Sequence, residues 1–159
     1  MEIGQGIVDV GPADRAALEP ILEESFEGWY LRHSMKTLHE IGTVRAALVE
    51  GKPAGLTMLK RLGEGVGYVY YLAVAREQRR KGLGSRLLDD ALSYFSGTGL
   101  KVVYASVENE ESATLFSSRG FRKTNFGEVS KTFGVLKAFS MYRSMLAVPG
   151  EVLLLRDLP

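Results

Sequence analysis

The chain has 159 residues, 45% of them apolar and 25% charged, with a formal net charge of +1. That is enough for one domain with a proper core, spanning residues 1–159, and the balanced charge gives no bulk basicity that would argue for nucleic acid. The absence of cysteine excludes disulfides, thiolate nucleophiles and cysteine-based metal sites. No apolar run reaches the ~18 residues of a membrane span, and the opening MEIGQGIVDVG lacks the basic start and long apolar centre of a signal peptide. A cytoplasmic protein with no membrane and no nucleic-acid partner is expected, and a homodimer is left open.

Residues 7–10 are a short apolar run closed by Gly11-Pro12, which predicts a first strand. Asp14 is placed to cap a helix carrying Ala17, Leu18, Ile21, Leu22 and Phe26, broken at Gly28. A second helix is expected over 29–41, with Tyr30, His33, Thr37 and Glu40 as one mixed face and Gly42 at its end; His33 and His39 are expected on a solvated side of it. Residues 44–49 and 54–60 are strand-like, and Glu50-Gly51-Lys52-Pro53 between them is turn chemistry, so they read as an antiparallel hairpin. A further turn at 62–65 leads into the apolar, β-forming run 68–74.

The next stretch organises the rest. After the strand comes a basic turn holding Arg79, Arg80, Lys81, Gly82 and Gly84, then an apolar stripe at helical spacing: Leu83, Leu87, Leu88, Ala91, Leu92 and Phe95. Strand, turn and helix in that order aim main-chain N–H groups at an anion. Cations at a helix N-terminus oppose its dipole by roughly 0.3–1 kcal/mol each, so a run of them there points to a negative ligand. The glycines remove Cβ atoms that would hold a phosphate away from the backbone. A phosphate-binding Walker loop would end in Gly-Lys-Ser/Thr, whereas Gly84-Ser85-Arg86 stands here; a dinucleotide fingerprint would need a small residue in place of Leu87. The reading is a pyrophosphate cradle, with a basic exposed loop as its structural alternative.

Ser96-Gly97-Thr98-Gly99 stops the stripe helix, and residues 100–107 form another buried strand. Asn109 caps a short helix with Glu110 and Glu111 in its first turn, Gly120 ends it, and 121–126 is expected as a strand. From 134 to 146, Val135, Ala138, Phe139, Tyr142, Met145 and Leu146 recur at helical spacing; Pro149-Gly150 stops that helix, and 152–155 is a last strand. The order predicts an α/β fold: a mixed, mostly antiparallel central sheet with helices on both faces, and a parallel step between the strands at 68–74 and 100–107.

Arg79-Arg80-Lys81-Gly82-Leu83-Gly84 resembles the R/Q-x-x-G-x-G/A signature of the GNAT (GCN5-related) N-acetyltransferase superfamily, and residues 109–121 resemble its second cofactor segment. The resemblance implies the GNAT-like acyl-CoA acyltransferase fold, acetyl-CoA as cosubstrate and an amine acceptor. It assigns main-chain groups of Leu72, Ala73 and Val74 to the pantetheine arm, the amides around Arg79, Arg80, Lys81, Gly82, Leu83, Gly84 and Ser85 to the pyrophosphate, and Asn109, Ser112 and Phe116 to the arm's other side. Two features depart from the pattern. A helix at 134–146 stands where the family has two strands joined by a loop, read here as a packing helix over the sheet. Phe116 stands where a tyrosine often serves as acid toward the leaving thiol.

A positioned acid contributes typically about 10²–10⁴-fold, so Tyr70 and Tyr142 are the candidate substitutes for the missing hydroxyl. Tyr68 takes the place of a catalytic glutamate found in some members; Glu40, Glu108 and His33 are candidate bases from elsewhere. Without a strong base, an α-amino group with a pKa of about 7.7–8.0 is a better acceptor at pH 7 than a lysine near about 10.4. That tilts the acceptor weakly toward a peptide or protein α-amine, with polyamines, amino acids and antibiotics as alternatives. Trp29, Tyr30, His33 and Tyr142 are expected to wall the acceptor side. A catalytically silent CoA-binding module and another type of nucleotide-phosphate binder are the competing readings. If the missing hydroxyl limits the rate, Phe116→Tyr raises turnover; an unchanged or lower rate in a well-folded variant contradicts this.

Overall fold

In a computed structural model describing residues 6–145 and 150–159, the chain forms a seven-stranded sheet in the order β1-β2-β3-β4-β5-β7-β6. The strands are β1 (Gly6–Asp9), β2 (Thr43–Val49), β3 (Lys52–Gly63), β4 (Val66–Val74), β5 (Val102–Val107), β6 (Arg122–Lys123) and β7 (Val152–Asp157). The helices are α1 (Glu19–Ser25), α2 (Gly28–Glu40), α3 (Leu83–Gly97), α4 (Glu110–Ser117), α5 (Phe126–Phe133) and α6 (Val135–Met145). The pairing of β4 with β5 is parallel, joined through α3; β1 with β2, β2 with β3, β5 with β7 and β6 with β7 are antiparallel. The chain divides into two compact units, one of residues up to Lys60 with Tyr71–Ala91, the other of Arg61–Tyr70 and Leu92–Pro159.

In the first unit, β1, β2 and β3 form the expected hairpin and its flanking strand, with a register shift at Ala47/Leu48. The apolar stripe of α3 is buried as its spacing predicts: Leu83, Leu87, Leu88 and Ala91 are all closed from solvent. Gly55 on β3 permits this approach. A Cβ there would stand 2.8 Å from the Leu87 Cδ1 and 3.0 Å from the Ala73 carbonyl oxygen. Arg45 on β2 ties down the same helix through a two-pronged contact with Asp90, at 2.5 and 2.8 Å, and also reaches Asp9 at 2.9 Å.

The start of this unit departs from expectation. Asp14 does not cap a helix. Gly11 precedes a 3₁₀ turn, Pro12–Leu18, that opens on proline, and the Asp14 N–H donates to the Gly11 carbonyl. The break falls at Phe26, the extended residue closing α1, while Gly28 is the first residue of α2, with φ +55°. Arg15 holds the segment together. It is 3% exposed, and its guanidinium donates to the carbonyls of Val10, Leu38, Ile41 and Gly42 at 2.5–3.2 Å. One of these, Leu38, is in the last turn of α2, and Ile41 and Gly42 follow it directly, so this one cation closes the end of the helix.

In the second unit, Val66–Val69 of β4 pair in register with Val102–Ala105 of β5, which also pairs along its length with β7. One face carries a core of Val66, Tyr68, Val102, Tyr104, Val129, Ala138, Met141, Met145, Leu153 and Leu155. The 121–126 strand is overturned: only Arg122–Lys123 pair with β7, and α5 begins at Phe126. The reason is local. The Asn125 side chain accepts the Glu128 N–H at 3.0 Å, and the Thr124 hydroxyl donates to the Glu128 carboxylate at 2.8 Å, so the cap starts a helix there. The helix expected over 134–146 is present as α6, but it packs through Ala138, Met141 and Met145, leaving Val135 and Phe139 exposed. Leu146 and Pro149 lie outside the described residues. Among the described residues, no helix is long and apolar enough to cross a membrane.

Arg15→Ala leaves several buried carbonyl groups without a donor, and a loss of about 3 kcal/mol is expected. Urea unfolding checks this; a change under about 0.5 kcal/mol contradicts it.

Candidate functional site

The sequence singles out the turn between β4 and α3, and the structure gives it an unusual backbone. After a 3₁₀ turn at Arg76–Gln78, Arg80 has φ +62° and Gly82 has φ +81°. Left-handed residues in a turn are a common feature of main-chain anion nests. The first helical bond of α3 runs from the Arg86 N–H to the Gly82 carbonyl, at 3.1 Å. The N–H groups of Leu83, Gly84 and Ser85 come before it and are the outward donors of the helix end. A Cβ built on Gly82 meets no atom within 4 Å, so the space above the turn is open. Arg80 and Lys81 are exposed beside it.

Arg79 behaves differently from its neighbours. Its Nε donates to the Val74 carbonyl at 3.0 Å, and its Nη2 reaches the Ser25 hydroxyl at 3.3 Å and the Glu24 carbonyl at 3.4 Å. The Arg76 N–H donates to the Glu24 carboxylate at 2.9 Å. The turn is thus stapled to the end of α1, and Arg79 positions the loop. No signal in the sequence separated this arginine from Arg80. Leu72 and Val74 pack at the edge of a small core made by Ala47, Ala54, Leu83 and Leu87; Ala73 is buried.

In the second unit, Asn109 caps α4, accepting the Ser112 N–H at 2.8 Å as its position predicted. Phe116 is 5% exposed, with its ring edge-to-face on Phe121 at 5.1 Å. The position often held by a tyrosine is here one half of a closed aromatic pair. Along the exposed side of the same helix, Glu110, Ala113, Thr114, Ser117 and Ser118 line an open hollow of about 530 Å³.

Of the three tyrosines proposed for chemistry, Tyr68 belongs to the second unit's core, and Tyr70 and Tyr142 are partly buried against it. Tyr68 is 2% exposed, and its hydroxyl donates to the Ser106 Oγ at 3.0 Å. Tyr70 stacks edge-on against it at 5.3 Å. Burial, reinforced by Glu151, pushes the Tyr70 phenol up to about 12, and burial also raises Tyr142, whose ring meets Phe126 at 5.0 Å. Tyr70 and Tyr142 are thus phenols held in their neutral form.

Trp29, Tyr30 and His33 come together on α2 as expected, but His33 is not on a solvated face. Its ring lies flat on Trp29, with centroids 4.7 Å apart and planes 7° apart, and its Nδ1 is 2.7 Å from the Tyr71 hydroxyl. Burial lowers its pKa, helped by Lys36 and Lys60 and opposed by Glu40. Tyr71, itself edge-to-face with Phe26 at 5.3 Å, gives the imidazole an aromatic neighbour and a hydroxyl. His39 is at the surface, paired with Glu19 at 2.6 Å.

The parallel step from β4 to β5 runs through the glycine turn and α3, so the turn sits at the end of a central strand. Residues 15–121 match the acetyltransferase (GNAT) family, and the chain belongs to that family. The ribosomal-protein-S18-alanine N-acetyltransferase of Escherichia coli superposes with a TM-score of 0.72 at 15% identity, over 97% of this chain and 94% of that one. Ard1 of Thermoplasma volcanium gives 0.73 at 17% identity, over 99% of both. The N-acetylglutamate synthase of Neisseria gonorrhoeae, crystallised with coenzyme A and N-acetylglutamate, gives 0.68 at 22% identity, over 100% of this chain and 36% of that one. Identities this low show a common fold and no more. No curated protein matches the chain.

The Asn109 cap separates two roles. Asn109→Ala removes the oxygen that holds the Ser112 N–H and is expected to cost about 1 kcal/mol of stability, whereas Asn109→Asp keeps that oxygen and the stability. Equal loss in both variants, measured by chemical unfolding, contradicts the capping assignment.

Proposed function

We propose that residues 1–159 act as a single cytoplasmic N-acetyltransferase domain that moves acetyl from acetyl-CoA directly to a primary amine, with a weak preference for a peptide or protein α-amino group. The observation that carries the reading is the amide nest at the start of α3, with left-handed Arg80 and Gly82, open space over Gly82 and outward N–H groups at residues 83–85. A diphosphate fits it, because the donors are fixed before the ligand arrives and Arg80 and Lys81 add charge.

Acetyl-CoA supplies the activated acetyl group. Leu72, Ala73 and Val74 offer main-chain groups to its arm in the manner of an added strand, with the Val74 N–H as donor toward the thioester oxygen. Asn109, Ser112 and Phe116 are carried over from the family pattern as the second cofactor segment. Arg79 supports the site by holding Val74 and the turn in place.

The phenol pKa values narrow the roles of the tyrosines. With a pKa of about 12, Tyr70 is ionised only about one part in 10⁵ at pH 7 and does not serve as a base. It is suited to donate a hydrogen bond, and Tyr142 likewise. A thiol of pKa near about 8.5 can leave as thiolate, so a weak donor suffices in place of the missing tyrosine at 116. Tyr68, engaged with Ser106, supports Tyr70 from below.

The acceptor preference follows from amine basicity, and the Escherichia coli neighbour, named for acetylating an alanine of a ribosomal protein, is of the same acceptor class. A panel of amines, comprising peptides with free α-amines, blocked peptides with lysine, spermidine and amino acids, tests it through release of free thiol at pH 7. The α-amine peptides are expected to react fastest. A faster lysine removes the preference, and tight acetyl-CoA binding with no thiol release from any amine leaves only a silent CoA-binding module.

A further inference from the structure

The reaction needs a group to take the proton of the attacking amine, and the neutral phenols of the second unit do not provide it. A histidine held neutral lies in the first unit. His33 is fixed on one side by its stack on Trp29 and at Nδ1 by the Tyr71 hydroxyl, 2.7 Å away. Tyr71 is the residue of β4 directly before Leu72, and each strand residue advances about 3.3 Å, so it lies roughly 10 Å along the strand from Val74. Strand side chains stand roughly perpendicular to the sheet, so the Tyr71 ring leaves the strand on the side where His33 of α2 meets it.

We propose that Tyr71 and His33 form a proton-accepting dyad for the acetyl transfer. The proposal rests on the acetyltransferase reading above and deepens it. As the amine nitrogen bonds to the acetyl carbon and the carbon–sulfur bond breaks, the amine proton passes to the Tyr71 Oη. The proton of Tyr71 passes in turn to the Nδ1 of His33. The electron pair of the broken bond leaves with the thiolate, and the imidazolium returns its proton to solvent or to that thiolate. Tyr71 is the member that faces the amine, and His33 acts through it.

The surroundings suit the task. The charged and titratable groups around the imidazole include Lys36 and Glu40 on α2, Lys60 on β3 and Tyr71 on β4. Burial and the two lysines outweigh Glu40 and hold the histidine below its ordinary value, so it is neutral and ready to accept a proton at pH 7. A nearby hydroxyl gives the proton a defined path and a fixed ring orientation.

The test is the pH dependence of kcat/KM with acetyl-CoA and the fastest amine of the panel, in wild type, His33→Asn, Tyr71→Phe and the double variant. Asparagine keeps an acceptor near the Nδ1 position but takes no proton. The wild type is expected to lose activity on acidification through a pKa below about 6.5. Each single variant loses that limb and falls by about 10²-fold or more, with the acetyl-CoA KM unchanged. The double variant falls no further, because the pair acts as a unit. Folded His33→Asn with the wild-type rate and acid limb overturns the dyad alone, as do strictly multiplicative losses in the double variant. Wild type that binds acetyl-CoA yet acetylates no amine overturns the acetyltransferase reading and the dyad with it.

Discussion

What this protein can do with an anion depends on how its main chain turns between β4 and α3. Helix ends leave N–H groups without internal partners, and most proteins satisfy them with a capping side chain or water. Here the turn carries two left-handed residues, Arg80 and Gly82, and the first helical bond starts only at Arg86. The donors are therefore arranged before any ligand is present. Arg79 and Arg76 secure the turn to α1, and Gly55 lets β3, Ala73 and Leu87 approach closely behind it. The apolar stripe of α3 supplies the rigidity: its buried leucines hold the helix axis so that its open end keeps one direction.

The chemistry follows from what burial does to each ionisable group. A desolvated phenol resists ionisation, which suits Tyr70 and Tyr142 to the donor role proposed for them. A half-buried imidazole resists protonation, which fits His33 for the acceptor role proposed for it. In the proposed reaction the same desolvation thus pushes an acid and a base apart in role without a carboxylate at the position that Tyr68 fills. The family's usual hydroxyl is replaced by the Phe116–Phe121 pair, which adds packing and no proton.

Features set by residues near each other in sequence were readable before the fold was seen. The α3 stripe, the Glu50-Gly51 hairpin and the Asn109 cap each rest on spacing or on one side chain acting within a few positions. The missed helix α5 was legible by the same logic, since Asn125 and Glu128 form a capping pattern; the β-forming look of 121–126 concealed it. Contacts between distant residues were not readable. His33 and Tyr71 are 38 positions apart, so periodicity placed the histidine on an open face that the fold closes. Arg79 and Arg80 look alike in sequence, yet one staples the loop and the other borders the nest. The GNAT signature located the turn, and only the backbone geometry says how its amides are held.

The most direct measurement is the shift of backbone amide resonances when coenzyme A is added to the isotope-labelled protein. The largest changes should fall on residues 80–85 and on Leu72–Val74, and pantetheine, which lacks the diphosphate, should leave the first group unmoved. Saturable binding with those amides unchanged would mean that the diphosphate is held elsewhere, and the proposed grip on the cofactor would be wrong.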